Sequence, residues 1–173
     1  MTGHRIYARH CGVAAGNRLS IPLIKRCIRA ALQCEGVDMP CEISVLITND
    51  SEIRGINNEF RGIDRPTDVL SFPMQEFERP GWTAPGDGAA DIETGLLPLG
   101  EIILSAERVT EQAREYGQAR GRETAYLTVH STLHLLGYDH IDGTDEKRNM
   151  RERENQIMRY LRADSELHGD EEP

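Results

Sequence analysis

Three of the six histidines of this chain lie in the stretch HSTLHLLGYDH, at positions 130–140. His130 and His134 are four residues apart, so on a helix their side chains would share one face with Cβ atoms about 5–6 Å apart. That separation allows two imidazoles to bind one cation at about 2.0–2.1 Å. Gly137 is expected to end the helix, which frees His140 to approach the same ion from a third direction. Three histidines with a fourth position left for water are typical of a catalytic zinc site.

The same spacing, H-x-x-x-H-x-x-G-x-x-H, also resembles the zinc motif of metzincin proteases. In those enzymes a glutamate follows the first histidine and acts as the general base, whereas this chain has Ser131 there. A serine hydroxyl cannot accept a proton at neutral pH, so peptide hydrolysis is the weaker of the two hydrolytic interpretations. His4, His10 and His168 belong to no such pattern and are assigned no role.

Composition limits the other possibilities for this chain of 173 residues, of which 38% are hydrophobic and 28% charged. No run of about 18 apolar residues is present, and the N-terminus has no apolar stretch typical of a secretory signal. We therefore expect a cytoplasmic protein with no membrane contact. The cysteines contain no C-x-x-C pair, which argues against a zinc ribbon, and in the cytoplasm their thiols should be reduced. They are Cys11, Cys27, Cys34 and Cys41, and Cys27 falls on the apolar face of a predicted helix.

The charge is unevenly distributed along the chain. The net charge of −9 argues mildly against nucleic acid as a partner, yet the first 34 residues contain no acid and six Lys or Arg. Such a basic segment can form a phosphate-binding surface, although a solvated helix face remains the alternative. The segment 164–173 carries five acids and no Lys or Arg, and we expect it to be a disordered tail.

The periodicity of apolar residues predicts one α+β domain over residues 1–163, with a small mixed β-sheet of about four strands packed against about five helices. The long segment 75–97 is rich in Gly, Pro and acids and is predicted to be a surface loop. Helix caps are expected at Ser20, at Asn49 or Asp50, and at Thr144. The predicted strands are 4–10, 41–48, 69–72 and 99–105, and the predicted helices are 20–33, 49–61, one beginning at 105, 122–136 and 144–162.

Three blocks of the sequence, read together, resemble the YbeY family of bacterial endoribonucleases. They are INNEFRGIDRPTDVLSFP (56–73), LGEIILS (99–105) and HSTLHLLGYDH, in the order found in that family. The resemblance implies a zinc ion held by His130, His134 and His140 and a functional arginine at Arg61. It also implies cleavage of single-stranded RNA, with roles in 16S rRNA 3′-end maturation and ribosome quality control. RNA, as a precursor of rRNA, and the ribosome or its small subunit would then be the partners.

Two features depart from the family pattern, since Ser131 replaces the usual glycine and the loop 75–97 is longer than usual. As a hypothesis, His130 and Arg61 are the catalytic residues, with Arg61 binding a phosphate through its planar guanidinium. Asp68 either orients a histidine or caps the turn after Pro66. Asp139, beside His140, either orients a metal-binding histidine through a hydrogen bond or is a solvated loop acid. The general base stays unassigned. A ribosome assembly factor with a structural metal ion is the remaining alternative.

Overall fold

The computed structural model describes residues 3–86, 88–139 and 144–168, the last range with backbone only at Thr144 and 164–168. Within these ranges it contains four strands and five α-helices, so the predicted α+β class is confirmed. They are β1 (Arg5–His10), α1 (Ile21–Cys34), β2 (Cys41–Thr48), α2 (Asp50–Arg61), β3 (Val69–Pro73), β4 (Leu97–Ser105), α3 (Ala106–Glu115), α4 (Arg120–Leu135) and α5 (Thr144–His168), with a short 3-10 turn at Ala15–Asn17.

The four strands form one mixed sheet in the order β1-β2-β4-β3. β1 and β4 both pair with β2 in parallel, whereas β3 pairs with β4 in the antiparallel sense. The alternation of CEISVLIT is the clearest sequence signal for this sheet, because every second side chain of β2 is buried against the helices. Parallel pairing requires crossover segments, and α1 makes the one between β1 and β2.

α1 and α2 begin where short polar side chains satisfy free backbone N–H groups. Ser20 Oγ accepts from Leu23 N at 3.3 Å and begins α1, while Asn49 Oδ1 accepts from Glu52 N at 2.9 Å and begins α2. Both caps agree with the predictions, and the choice between Asn49 and Asp50 falls on Asn49. The predicted cap at Thr144 lies outside the described side chains.

The main core lies on one face of the sheet, where α4 packs against β3 and β4, α1 packs against β1 and α4, and α5 packs against α1 and α4. On the opposite face α2 packs through Ile53 against Leu70 and Ile103 in a smaller apolar cluster. The sheet therefore separates α2 from α4. Because α2 sits over β3 and β4, the part of that face formed by β1 and the neighbouring half of β2 stays uncovered, and Tyr7 on β1 is half exposed.

Several boundaries differ from the predictions by a few residues. β4 begins at Leu97 instead of 99, because Leu97 pairs with Cys41 of β2 before the register shift. α5 continues to His168, beyond the predicted end at 162, and residues 169–173 lie outside the described part. The division into a domain of 1–163 and a disordered tail stays a prediction. All four cysteines carry free thiols, and Cys27 is fully buried as predicted. None of the helices in the described ranges has the length and apolar character needed to cross a membrane.

Candidate metal centre

His130 and His134 meet on the exposed side of α4, and the two Nε2 atoms are 3.1 Å apart. The rings stand nearly perpendicular, at 85°, with centroids 4.5 Å apart. α4 is held in the core by fully buried Val129 and Leu133 on its other side. The helical spacing of four residues thus directs both imidazoles to one point, as the sequence predicted.

The far nitrogen of His130 is held by a carboxylate from α5. Glu154 Oε1 lies 2.6 Å from His130 Nδ1, and Glu154 is only 5% exposed. The hydroxyl of Tyr126 donates to the other oxygen of Glu154 at 3.3 Å. Burial, and next the neighbouring Glu154, raises the pKa of Tyr126 to about 12, so this hydroxyl stays a donor at neutral pH. Since an ionised carboxylate only accepts, it fixes the proton of His130 on Nδ1 and leaves Nε2 directed at His134.

The far nitrogen of His134 is held by the backbone instead. Its Nδ1 donates to the carbonyl oxygen of Tyr138 at 2.7 Å, and a carbonyl can only accept. Tyr138 is itself fixed, because its hydroxyl donates to Glu35 at 2.8 Å and Arg153 donates to the same carboxylate at 2.7 Å. Burial is the first cause that raises the pKa of Tyr138 to about 12, and its contact with Glu35 adds to it. The turn after α4 is thereby tied to α1 and α5.

This arrangement fits a metal ion. With both Nδ1 atoms serving as donors, the neutral form of each ring has its lone pair on Nε2, and two lone pairs 3.1 Å apart repel each other. A cation shared by the two Nε2 atoms removes that repulsion. Two imidazoles bound tetrahedrally at about 2.05 Å would have nitrogen atoms about 3.3 Å apart, close to the observed separation. The pair therefore has the spacing and the outer hydrogen bonds of zinc-binding histidines.

The loop predicted at 75–97 lies against the end of α4. Gly137 follows the helix with φ +84°, and a Cβ there would come within 3.0 Å of Phe77. Gly81 N donates to the carbonyl of Leu136 at 3.0 Å, and the rings of Phe77 and Trp82 are in contact. The glycine that ends α4 is thus required both by its backbone conformation and by the packing of the loop.

The remaining predicted site residues are placed as follows. His140 lies outside the described residues, and within the described ranges no three His, Cys, Asp or Glu side chains converge. Arg61 is the exposed last residue of α2, across the sheet from α4, and in the described part of the chain it makes no side-chain hydrogen bond or ion pair. Asp68 accepts from Val69 N at 2.7 Å, at the start of β3, and from Gln112 of α3 at 2.9 Å. Both interpretations of Asp68 stay predictions, because His140 lies outside the described residues.

Four other polar residues named in the sequence analysis, Asp139, His4, His10 and Ser131, differ in their surroundings. Asp139 is exposed beside the described end of the motif. His4 Nδ1 accepts from Cys41 N at 3.3 Å and His10 Nε2 donates to Leu19 O at 3.1 Å, so these two histidines have structural hydrogen bonds. The side chain of Ser131 is fully buried, and its Oγ has no hydrogen-bond partner among the described residues.

Sequence reasoning missed Glu154, although a signal was present. Met150, Ile157 and Leu161 form the buried stripe of α5, and Glu154 occupies the position of that stripe between the first two. A charge at a core position of an amphipathic helix calls for a buried partner. His130 is that partner, 24 residues earlier in the chain.

Comparison with known proteins identifies relatives of this chain. The family model described as endoribonuclease YbeY matches residues 16–162. The chain is 47% identical over 143 residues to an endoribonuclease YbeY of Clostridium botulinum, with 80% of this chain and 86% of that protein covered. It is 45% identical over 154 residues to the Clostridium beijerinckii protein of the same name, covering 86% and 91%.

A solved structure has the same fold. The solution structure of a Thermotoga maritima protein superposes with a TM-score of 0.52 at 26% identity, covering 89% of this chain and 85% of that one. The matched residues include α1 to α4, most of α5, and both His130 and His134. The chain belongs to the endoribonuclease YbeY family.

Proposed function

We propose that this protein is a metal-dependent endoribonuclease that cleaves single-stranded RNA. The observation that carries the proposal is the pair of Nε2 atoms 3.1 Å apart on α4, each ring held through its Nδ1 atom. The family membership supports RNA as the substrate, because the relatives are named endoribonucleases.

One zinc ion would be held by His130, His134 and His140, with a water in the fourth position. When bound, zinc can lower the pKa of that water towards about 7 and polarise a phosphoryl oxygen. The chain's own contribution is to keep two ligands ready. Glu154 keeps the Nδ1 proton of His130 in place, and the carbonyl of Tyr138 does the same for His134. Both Nε2 lone pairs are then available without reorientation of either ring.

Arg61 is proposed to bind an RNA phosphate. It is exposed at the C-terminus of α2, and no carboxylate of the described residues neutralises it. β3 is the edge strand between α2 and the helical face that carries the histidines. An RNA strand that passes around this edge can therefore contact Arg61 on one side and the histidines on the other. The planar guanidinium suits a phosphate because two of its N–H groups can bind two oxygens at once.

The cellular role is part of the same proposal and derives from the family resemblance. We infer maturation of the 16S rRNA 3′ end and ribosome quality control as the processes, with the ribosome or its small subunit as partner. The cytoplasm is the proposed compartment, and four free thiols fit its reducing conditions.

The proposal is tested with a labelled single-stranded RNA and the variants Arg61→Ala and Arg61→Lys. We expect the alanine variant to lose most of its cleavage rate, and lysine to restore only part of it because it binds phosphate as a point charge. Zinc content should be equal in all three proteins. If zinc is bound but RNA is left intact while a peptide is cut, the protein is a metalloprotease. If zinc is bound and neither is cut, the ion is structural, as in an assembly factor.

A further inference from the structure

The sheet has a depression on the face opposite α4, formed by consecutive residues of three strands. Its volume is about 440 Å³, within the range of pockets that hold small ligands. The strand register puts Tyr7, Ser44 and Glu101 in one row across the floor. The next row consists of Arg9, Leu46 and Ile103. We call these six residues the open face.

Tyr7 is the aromatic residue of this surface. It is 50% exposed and lies on β1, the edge strand, so that one side of its ring is accessible to a ligand. In the neighbouring row Leu46 is apolar and partly buried, and Ile103 is buried under α2. A half-exposed ring beside an apolar floor is suited to stacking with a flat group such as a nucleobase.

Four cations lie near Tyr7, against the single acid Glu101 among the described residues of the depression. Arg9 and Lys25 line the depression itself. Arg5 lies two residues before Tyr7 on the same strand face, and Arg29 follows Lys25 by one helical turn of α1. Within the described ranges none of these four side chains forms an ion pair. Arg5 stands opposite Glu42 in the register, yet the two are not in salt-bridge contact.

From these observations we propose that the open face is a second contact surface for single-stranded RNA, with a base stacked on Tyr7 and phosphates bound by Arg9 and Lys25. This inference rests on the proposed function, because it takes RNA to be the substrate of the protein. The open face lies on the same side of the sheet as α2, so it would extend the path of an RNA that has passed Arg61. Glu101, the acid on the floor, can accept from a base amino group or a ribose hydroxyl.

Single-stranded RNA fits this surface better than a protein does. A protein partner would have to bury both Arg9 and Lys25 with Glu101 as the only acid among the described residues that line the depression, which leaves positive charge uncompensated and is costly. RNA supplies a phosphate for each cation and an aromatic base for Tyr7. This region also contains the acid-free segment of the chain, so the RNA would meet positive charge despite the net charge of −9.

The test measures binding of a fluorescent, 2′-O-methylated single-stranded RNA by anisotropy over a range of salt concentrations. The 2′-O-methyl groups block attack by the 2′-hydroxyl, and gel electrophoresis of the probe after each titration checks that it is intact, so binding is measured apart from catalysis. The variants are Tyr7→Ala, Tyr7→Phe, and a double neutralisation, Arg9→Gln with Lys25→Gln. The matched control is Arg114→Gln with Arg159→Gln, which removes two exposed cations from other surfaces.

We expect Tyr7→Ala to weaken binding about tenfold, and Tyr7→Phe to bind like the wild type because it keeps the ring. The double neutralisation should lower the slope of log K against log salt by about 1.4, since each single-strand phosphate contact contributes about 0.7. The control should keep the slope. If the open-face variants match the control, the inference is wrong. It is also wrong if they leave RNA binding intact but abolish a concentration-dependent dimer.

Cleavage of unmodified RNA and zinc content, measured on the same preparations, separate this inference from the proposed function. If the wild type cuts no RNA but its RNA binding depends on Tyr7, the RNA-binding surface is supported and the proposed nuclease activity is refuted. If the wild type cuts RNA but the Tyr7→Ala variant binds RNA as tightly as the wild type, the nuclease activity is supported and the RNA-binding surface is refuted.

Discussion

Replacing Glu154 by glutamine should weaken metal binding without weakening the fold. The glutamine oxygen can still accept from His130 Nδ1, but the negative charge that strengthens the 2.6 Å contact is lost. The amide nitrogen would face the hydroxyl of Tyr126, which can accept from it in turn. The substitution therefore keeps the hydrogen-bonding partners and removes the carboxylate character.

The size of the effect follows from the position of Glu154. Loss of such an outer carboxylate lowers metal affinity about 10- to 100-fold, which corresponds to about 1.4–2.7 kcal/mol. The metal-free protein should respond differently. Glu154 is 5% exposed, so removing its charge also removes a desolvation cost, and the free energy of unfolding should stay within about 1 kcal/mol or rise. A fall in zinc affinity with an unchanged or higher free energy of unfolding indicates that Glu154 positions His130. A fall in both would indicate a structural role.

Zinc affinity is measured by competition with a chromophoric chelator, and unfolding of the metal-free protein by urea. Glu152→Gln is the matched control, because it removes the same charge from the exposed side of the same helix. We expect the control to bind zinc like the wild type. If Glu154→Gln and Glu152→Gln have equal zinc affinities, the carboxylate does not orient His130 and the reasoning fails.

Three further substitutions test separate features. Ser131→Ala should raise the free energy of unfolding by about 1 kcal/mol in urea titration, because it removes a buried hydroxyl without a partner among the described residues. Tyr138→Phe should lower it by about 1.5–3 kcal/mol in the same assay, since the buried carboxylate of Glu35 loses a donor. Glu123→Gln should change the pH dependence of stability. Burial raises the pKa of Glu123 in the folded state above 4.5, so its stabilising contribution is present below that pH and is lost as the pH rises through the folded-state value.

Each of these expectations has a result that contradicts it. Ser131→Gly serves as the control for Ser131→Ala, because glycine also removes the hydroxyl but costs about 1 kcal/mol in a helix. A loss of stability in Ser131→Ala, with Ser131→Gly about 1 kcal/mol lower still, would mean that the hydroxyl is satisfied. For Tyr138, unchanged stability would show that Arg153 alone suffices for Glu35. The stability advantage of Glu123→Gln over the wild type should grow as the pH rises above 4.5 and should level off above the folded-state pKa, and a pH-independent difference would contradict the assignment.

The sequence predicted the elements well because their local signals are strong. β2 was predicted at its observed bounds, since strict alternation of CEISVLIT distinguishes a strand from a helix. The caps Ser20 and Asn49 marked the starts of α1 and α2. The extra length of α5 could not be predicted from composition, because the acidic segment after residue 163 has no apolar periodicity of its own.

The pair of histidines on α4 could be predicted from the sequence, because an i, i+4 spacing on one helix is a local property. The residues that hold the two rings could not be predicted. Glu154 reaches His130 across 24 residues, and Glu35 reaches Tyr138 across 103. Such contacts depend on how helices pack against each other. Within the described residues, the only local sign of the Glu154–His130 contact was a charged residue inside the apolar stripe of α5.

The most direct test of the account is the RNA cleavage rate of chelator-stripped protein during titration with zinc. Single-turnover cleavage of a labelled single-stranded RNA would be measured for the wild type and for His134→Ala. We predict that the stripped wild type is inactive, that its rate rises to a plateau near one equivalent of zinc, and that His134→Ala stays inactive throughout. Full activity of the stripped protein, or cleavage by His134→Ala at the wild-type rate, would contradict the metal centre on α4.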